Sequence, residues 1–238
     1  MSAFFYGVRL QWKLDLRRKE IFLIYYLVPL VFFAFIGGVF TSIMPETKDT
    51  LIQSMSVFGI TMGGVLGAPV ALVELYGSDI KKAYQVGRIP LWTPLINNLI
   101  SAFVHLSIVS IIIFFAAPIA YQAVVPENVL LYFIKLFIFL FVTISVGSVI
   151  GMWVKSTSKV SIFGQLIFLP SIMISGIMFS SSFLPAPLRA IGKLLPATWG
   201  YHILCVDNIP FVDVVVLISI VFVSFLLIIL SLRRKRLN

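Results

Sequence analysis

The chain has 238 residues, of which 60% are hydrophobic and only 11% charged, and its mean hydropathy is +1.08. A soluble domain averages about 45–50% apolar and about 25% charged residues, so both a water-soluble fold and a disordered chain are excluded and lipid must be the main solvent. The 18 Lys+Arg outnumber the 9 Asp+Glu, yet they stand at the ends of apolar runs, the place of cytoplasm-facing membrane loops rather than of a nucleic-acid groove. Two His and the single Cys205 are too few for a Cys/His metal cage or an internal disulfide, so no metal site is expected. The N-terminus lacks the short apolar core and small-residue cleavage site of a removable leader.

In chain order, residues 1–20 open as an interfacial helix. Over Ser2–Arg18, the residues Phe4, Phe5, Val8, Trp12 and Leu16 are set against Arg9, Lys13, Asp15 and Arg17. That pattern predicts an amphipathic helix in the headgroup layer with its charged set toward water. Six apolar runs follow, each near the ~20 residues that a helix needs to cross hydrocarbon. They are Ile21–Ile43, Leu51–Val73, Leu91–Ala120, Leu136–Val154, Val160–Phe179 and Val212–Leu232. The fourth run starts after Lys135, or earlier if that side chain snorkels outward to the headgroups. The reading is an all-α integral membrane protein, one transmembrane domain over residues 1–238 with no soluble module.

Orientation follows from Lys and Arg. Fourteen of them, from Arg9 to Lys19, Lys81 to Arg88, Lys155 with Lys159, and Arg233 to Arg236, fall on one side, against Lys48, Lys135, Arg189 and Lys193 on the other. This places both N- and C-termini in the cytoplasm and requires an even number of spans.

Within the second run Gly59, Gly63, Gly67 and Ala71 recur every four residues and form a small-residue ridge for helix packing or a dimer interface; Gly147 and Gly151 form a shorter pair in the fourth. The loop from Glu74 to Pro90 is predicted to hold a short helix. Gly77 ends the second span, Ser78 or Asp79 caps the new helix, and Ile80, Ala83 and Tyr84 share a face beside Lys81 and Lys82. Such a partly apolar peg suits docking into a partner. His105, with Asn97 and Asn98 earlier in the third run, is read as an interhelical hydrogen-bonding group. The acids stand at span ends, Glu74 being the most embedded of them. Between spans five and six, Phe183–Trp199 is too short to cross; its Pro185, Leu188, Ile191 and Pro196 mark an external re-entrant or surface helix. No phosphate-binding loop and no catalytic constellation occurs, so enzymatic activity is not expected and any driving force must come from another subunit.

Three features resemble the ABC-2 type transporter permeases. They are the basic amphipathic segment before six spans, the stretch Glu74-x-x-Gly77-Ser78-x-x-Lys81 followed by Pro90, and the series Ser175-Gly176-Ile177-Met178-Phe179, Leu184-Pro185-x-x-Leu188-x-x-Ile191, Leu195-Pro196-Ala197-Thr198. The chain departs from the family pattern at Val73, where a basic residue is usual. The resemblance implies half of an exporter: two six-span permeases, identical or homologous, around a central pathway. Each would rest on a separately encoded cytoplasmic ABC ATP-binding subunit that carries the ATP and magnesium, leaving no cofactor on this chain. Ser78–Gly87 would be the ATPase-coupling segment. The implied setting is a bacterial cell membrane with its lipids, and the implied cargo is amphipathic: a drug, an antimicrobial peptide or a lipid-like molecule, as in antibiotic efflux. The alternative is an energy-independent channel or lipid scramblase.

Overall fold

Hydrocarbon offers backbone groups no water, so each apolar run must close its hydrogen bonds internally as a helix. The computed structural model describes residues 3–77, 80–178 and 181–237. Its helices are α1 (Ala3–Arg17), α2 (Lys19–Ile43), α3 (Leu51–Tyr76), α4 (Ile80–Val86), α5 (Thr93–Tyr121), α6 (Val129–Trp153), α7 (Thr157–Ile174), α8 (Ala186–Gly192), α9 (Pro196–Cys205) and α10 (Phe211–Lys235). Six of them, α2, α3, α5, α6, α7 and α10, are long and apolar enough to cross a membrane. They alternate in direction, so α1, α4 and the C-terminal segment share one end of the bundle and α8 and α9 lie at the far end.

One helix is the axis. The most apolar stretch of α3 is 94% buried, against 22% to 50% for the other five spans, whose remaining faces are left for lipid. Helices α2, α5, α6, α7 and α9 all pack on it. Lipid gives no hydrophobic drive between helices, so close packing relies on small residues that let backbones approach. A Cβ at Gly147 would lie 1.8 Å from the Gly64 carbonyl oxygen, one at Gly151 2.7 Å from that of Pro69, and one at Gly164 3.0 Å from that of Val65. Backbone of α6 and α7 thus lies directly against backbone of α3. The row Gly59, Gly63, Gly67 and Ala71 looks the other way. Gly63 faces Leu106 and Tyr25, Gly67 faces Tyr25, Gly59 faces Pro29 and Val109, and Ala71 is buried.

Both α2 and α3 contain one widened turn, Leu23–Leu27 and Gly63–Gly67, shortly before Pro29 and Pro69. A proline ring collides with the carbonyl four residues earlier, and the wider turn gives it room while the helix continues.

Several boundaries differ from the sequence reading. Helix α6 begins at Val129, where Asn128 Oδ1 accepts from the Leu131 N–H at 2.9 Å, so Lys135 lies inside the span. That lysine does not snorkel: it is 3% exposed and donates to the backbone carbonyls of Val206 and Asp207. Helix α7 stops at Ile174, short of the expected Phe179 (which lies outside the described residues), because the chain turns at Gly176, whose φ of +96° favours glycine. The segment after it forms two short helices, α8 and α9, instead of one.

The backbone contact at Gly147 makes a direct prediction. Gly147→Ala must push the Gly64 carbonyl aside and is expected to cost about 3 kcal/mol of stability. Gly38→Ala, whose nearest neighbour would be 3.5 Å away, should change stability by less than about 0.5 kcal/mol. Thermal unfolding of the two purified variants in detergent separates them.

Candidate functional site

The end of the bundle that gathers α1 and α4 also gathers most of the polar chemistry. Helix α1 packs along α5. Its Phe5, Tyr6, Leu10 and Leu14 point outward, while Gln11 and Asp15 turn inward and are buried. Asp15 Oδ1 accepts from Gln11 Nε2 at 2.8 Å and Oδ2 accepts from Ser101 Oγ at 2.6 Å. Next to them His105 is 0% exposed, its Nδ1 2.7 Å from the Tyr26 hydroxyl and its Nε2 4.0 Å from Asp15 Oδ2. The imidazole is stacked between Trp12 and Tyr25, with ring centroids 5.9 Å and 5.2 Å away. About two turns of helix toward the N-terminus of α5, Asn98 donates to the Ala68 carbonyl at 3.1 Å and so ties α5 to α3. Beyond Asp15 the chain kinks at Arg18, whose guanidinium pairs with Glu74. Helices α1, α2, α3 and α5 are therefore stitched together by side chains from four stretches distant in sequence.

Two expectations are corrected here. Asp15 belongs to the charged set assigned to water, yet it is 1% exposed, because α1 lays its Gln11–Asp15 row on Ser101 and turns apolar side chains outward. Glu74 is not the most embedded acid. Its side chain is 39% exposed and carries Arg18, whereas Asp15 and Asp213 are buried. Burial raises the Asp15 carboxyl above its ordinary value; hydrogen bonds from Ser101 and Gln11 and the charge of Arg18 oppose that rise, and Glu74 adds to it.

The connection from α3 to α5 carries the other predicted residues. Gly77 closes α3. Ser78 and Asp79 lie outside the described residues, as do the side chains of Ile80, Lys81 and Ala83. Tyr84 is half-buried and Lys82 exposed. Helix α4 ends where Arg88 takes a φ of +54° and the Ile89 N–H returns to the Tyr84 carbonyl at 2.9 Å. The base of the loop is pinned by Tyr76, whose hydroxyl donates to the Leu91 carbonyl at 2.5 Å beneath the Lys235 ammonium, 5.1 Å from the ring centroid. What the sequence reading missed is an apolar edge. Val86 is 86% exposed, followed by exposed Ile89 and Trp92. The available signal was the position of Val86 and Ile89 among Lys82, Arg88 and Pro90, apolar residues outside every expected span.

At the far end, Pro185 begins α8, Leu188 and Ile191 project from it partly exposed, and Pro196 is buried at the first turn of α9. His202 Nδ1 meets Asp213 Oδ2 at 2.5 Å, which fastens α9 to α10. A cavity of about 510 Å³ opens between the α8–α9 hairpin, the end of α2 and the start of α3.

The family model for the ABC-2 type transporter matches residues 2–207 of this chain. Among curated proteins none matches it.

The buried carboxyl makes stability depend on pH. Because the Asp15 value is raised on folding, the folded chain holds that proton more tightly than the unfolded chain. Docking of α1 is thus strongest below the ordinary carboxyl value of 3.8 and weakens as pH rises through the raised value. Asp15→Asn keeps an uncharged partner for Ser101 and should lose this decline of stability with rising pH. Thermal scans against pH check it, and equal declines in both proteins would assign the effect to another group.

Proposed function

This chain belongs to the ABC-2 type transporter family, and from that premise we propose that it is the membrane permease of an ABC exporter, paired with a second permease and driven by a separate cytoplasmic ATP-binding subunit. The observation that carries the reading is the short helix α4, whose Val86 is 86% exposed between two membrane spans. An apolar side chain held in that position, among basic residues and beyond the hydrocarbon, gains nothing from lipid or from water. It gains on entering a groove of a protein partner.

Fourteen of the 18 basic residues lie at the α4 end, which orients it to the cytoplasm, where ATP is found. Helix α3 leads from this end straight through the packed centre of the bundle. Protein interiors are close-packed and transmit displacement rather than absorb it. Force on α4 and on the foot of α3 therefore reaches the helices around α3, and the Arg18–Glu74 pair couples the same foot to α1 and α2. ATP and magnesium belong to the partner, and ATP shifts the permease between inward and outward forms only by its unequal affinity for the two. The interior of the bundle is poor in charge, which favours an amphipathic cargo over a small ion. The apolar outer faces of α2, α7 and α10 are left to bilayer lipid and to the second permease.

The test is a docking variant. Val86→Asp places a charge at the apolar edge without touching the helical bundle. It should weaken association with the ATP-binding subunit by about tenfold or more, a cost of about 1.4 kcal/mol, and abolish cargo-stimulated ATP hydrolysis while the permease purifies intact. Unchanged association, read by pull-down at graded concentrations, would remove α4 from the coupling path.

A further inference from the structure

The far-end cavity is roomy, and the proposed coupling through α4 makes no use of it. Its volume, about 510 Å³, lies within the range of small-molecule sites, about 300–1,000 Å³. Its wall is apolar and adaptable. Phe40 and Met44 come from the end of α2, Met178 from the turn after α7 and Trp199 from α9. Aromatic rings and thioethers supply large contact area and repack around differently shaped apolar groups. Its floor is polar. Thr50, Ser54, Tyr201 and Cys205 line it, and Ser54 is 5% exposed.

Two opposite charges also line this space. Glu46 stands on the turn Pro45–Asp49 and Lys193 follows α8; both are exposed, and among the described residues no ion pair joins them. A ligand that carries one cation and one anion at the end of an apolar body satisfies both charges and the wall together, and a singly charged amphiphile leaves one of the two without a counterpart.

We propose that this cavity binds a single-chain zwitterionic amphiphile, with its chain among Phe40, Met44, Met178 and Trp199 and its head between Glu46 and Lys193. The inference rests on the exporter reading only in making such a molecule a cargo at its exit; the binding site itself needs no partner and no nucleotide. Two sources share this chemistry, a diffusible single-chain molecule and a two-chain zwitterionic lipid of the bilayer. The limited volume favours the first.

Cys205 reports on the site without any substitution. It is the only cysteine in the chain, it is exposed, and it lines the cavity. The experiment measures the rate of maleimide modification of the full chain in lipid nanodiscs, with dodecylphosphocholine, dodecyltrimethylammonium or dodecyl maltoside added at equal concentration. Dodecylphosphocholine is expected to slow the reaction about tenfold, and the other two less than roughly twofold. The Glu46→Gln, Lys193→Gln double variant should label at the native rate alone and lose this selectivity.

Equal protection by all three amphiphiles, or protection by none, would overturn the proposal. A native rate that changes when the disc lipid is switched from phosphatidylcholine to phosphatidylglycerol, with nothing added, would make bilayer lipid the occupant and overturn the single-chain assignment. Because neither ATP nor its subunit is present, failure here leaves the α4 docking result standing, and failure there leaves this one standing.

Discussion

Between helices in a bilayer the solvent supplies no hydrophobic drive, and contact has to come from surfaces that fit. In this protein the fit is made by backbone. The carbonyls of Gly64, Val65 and Pro69 on α3 lie against Gly147, Gly164 and Gly151 of α6 and α7, at distances no larger side chain would allow. The opposite side of α3 receives Tyr25 and Leu106 over Gly63 and Gly67. With both sides taken, α3 has no lipid face, and the other spans are arranged by their contact with it. The widened turn at Gly63–Gly67 lies at the level of these contacts, so the same residues that admit the neighbours also admit Pro69.

Polar groups then set what the packing leaves open. Asp15 holds α1 to α5 through Ser101, His105 joins α5 to α2 through Tyr26, and Arg18 reaches across to Glu74 on α3. A buried carboxylate is costly unless hydrogen-bonded, and this one has two donors. The far end uses the same device, with Lys135 on loop carbonyls and His202 on Asp213. Both ends of the bundle are thus fastened by polar pairs, and the middle is fastened by glycine.

The spans were legible because a run of about twenty apolar residues has few other fates. The small-residue rows were legible from spacing, yet Gly64 and Gly164 fall outside the four-residue repeat and become meaningful only beside Thr143 and Leu66. Lys135 reads as an interruption of a span because the carbonyls that accept from it, Val206 and Asp207, lie far along the chain. Asp15 reads as solvent-facing for the same reason: its partner Ser101 belongs to another helix. Helical periodicity ranks the faces of a helix by polarity, but in a membrane the polar face can be the one that packs inward. Around α4 the position of a short helix was legible, and the exposure of Val86 was not, since it depends on where the Arg88 turn leaves the chain.

These features fit the proposed permease, in which the other spans pack on α3 and the motor is a separate subunit. The most direct measurement is clearance of a fluorescent single-chain zwitterionic amphiphile from vesicles that contain this chain alone, or this chain with its ATP-binding subunit, each with and without ATP. Our account predicts one-way clearance only when both proteins and ATP are present. Clearance by this chain alone, without nucleotide, would contradict it.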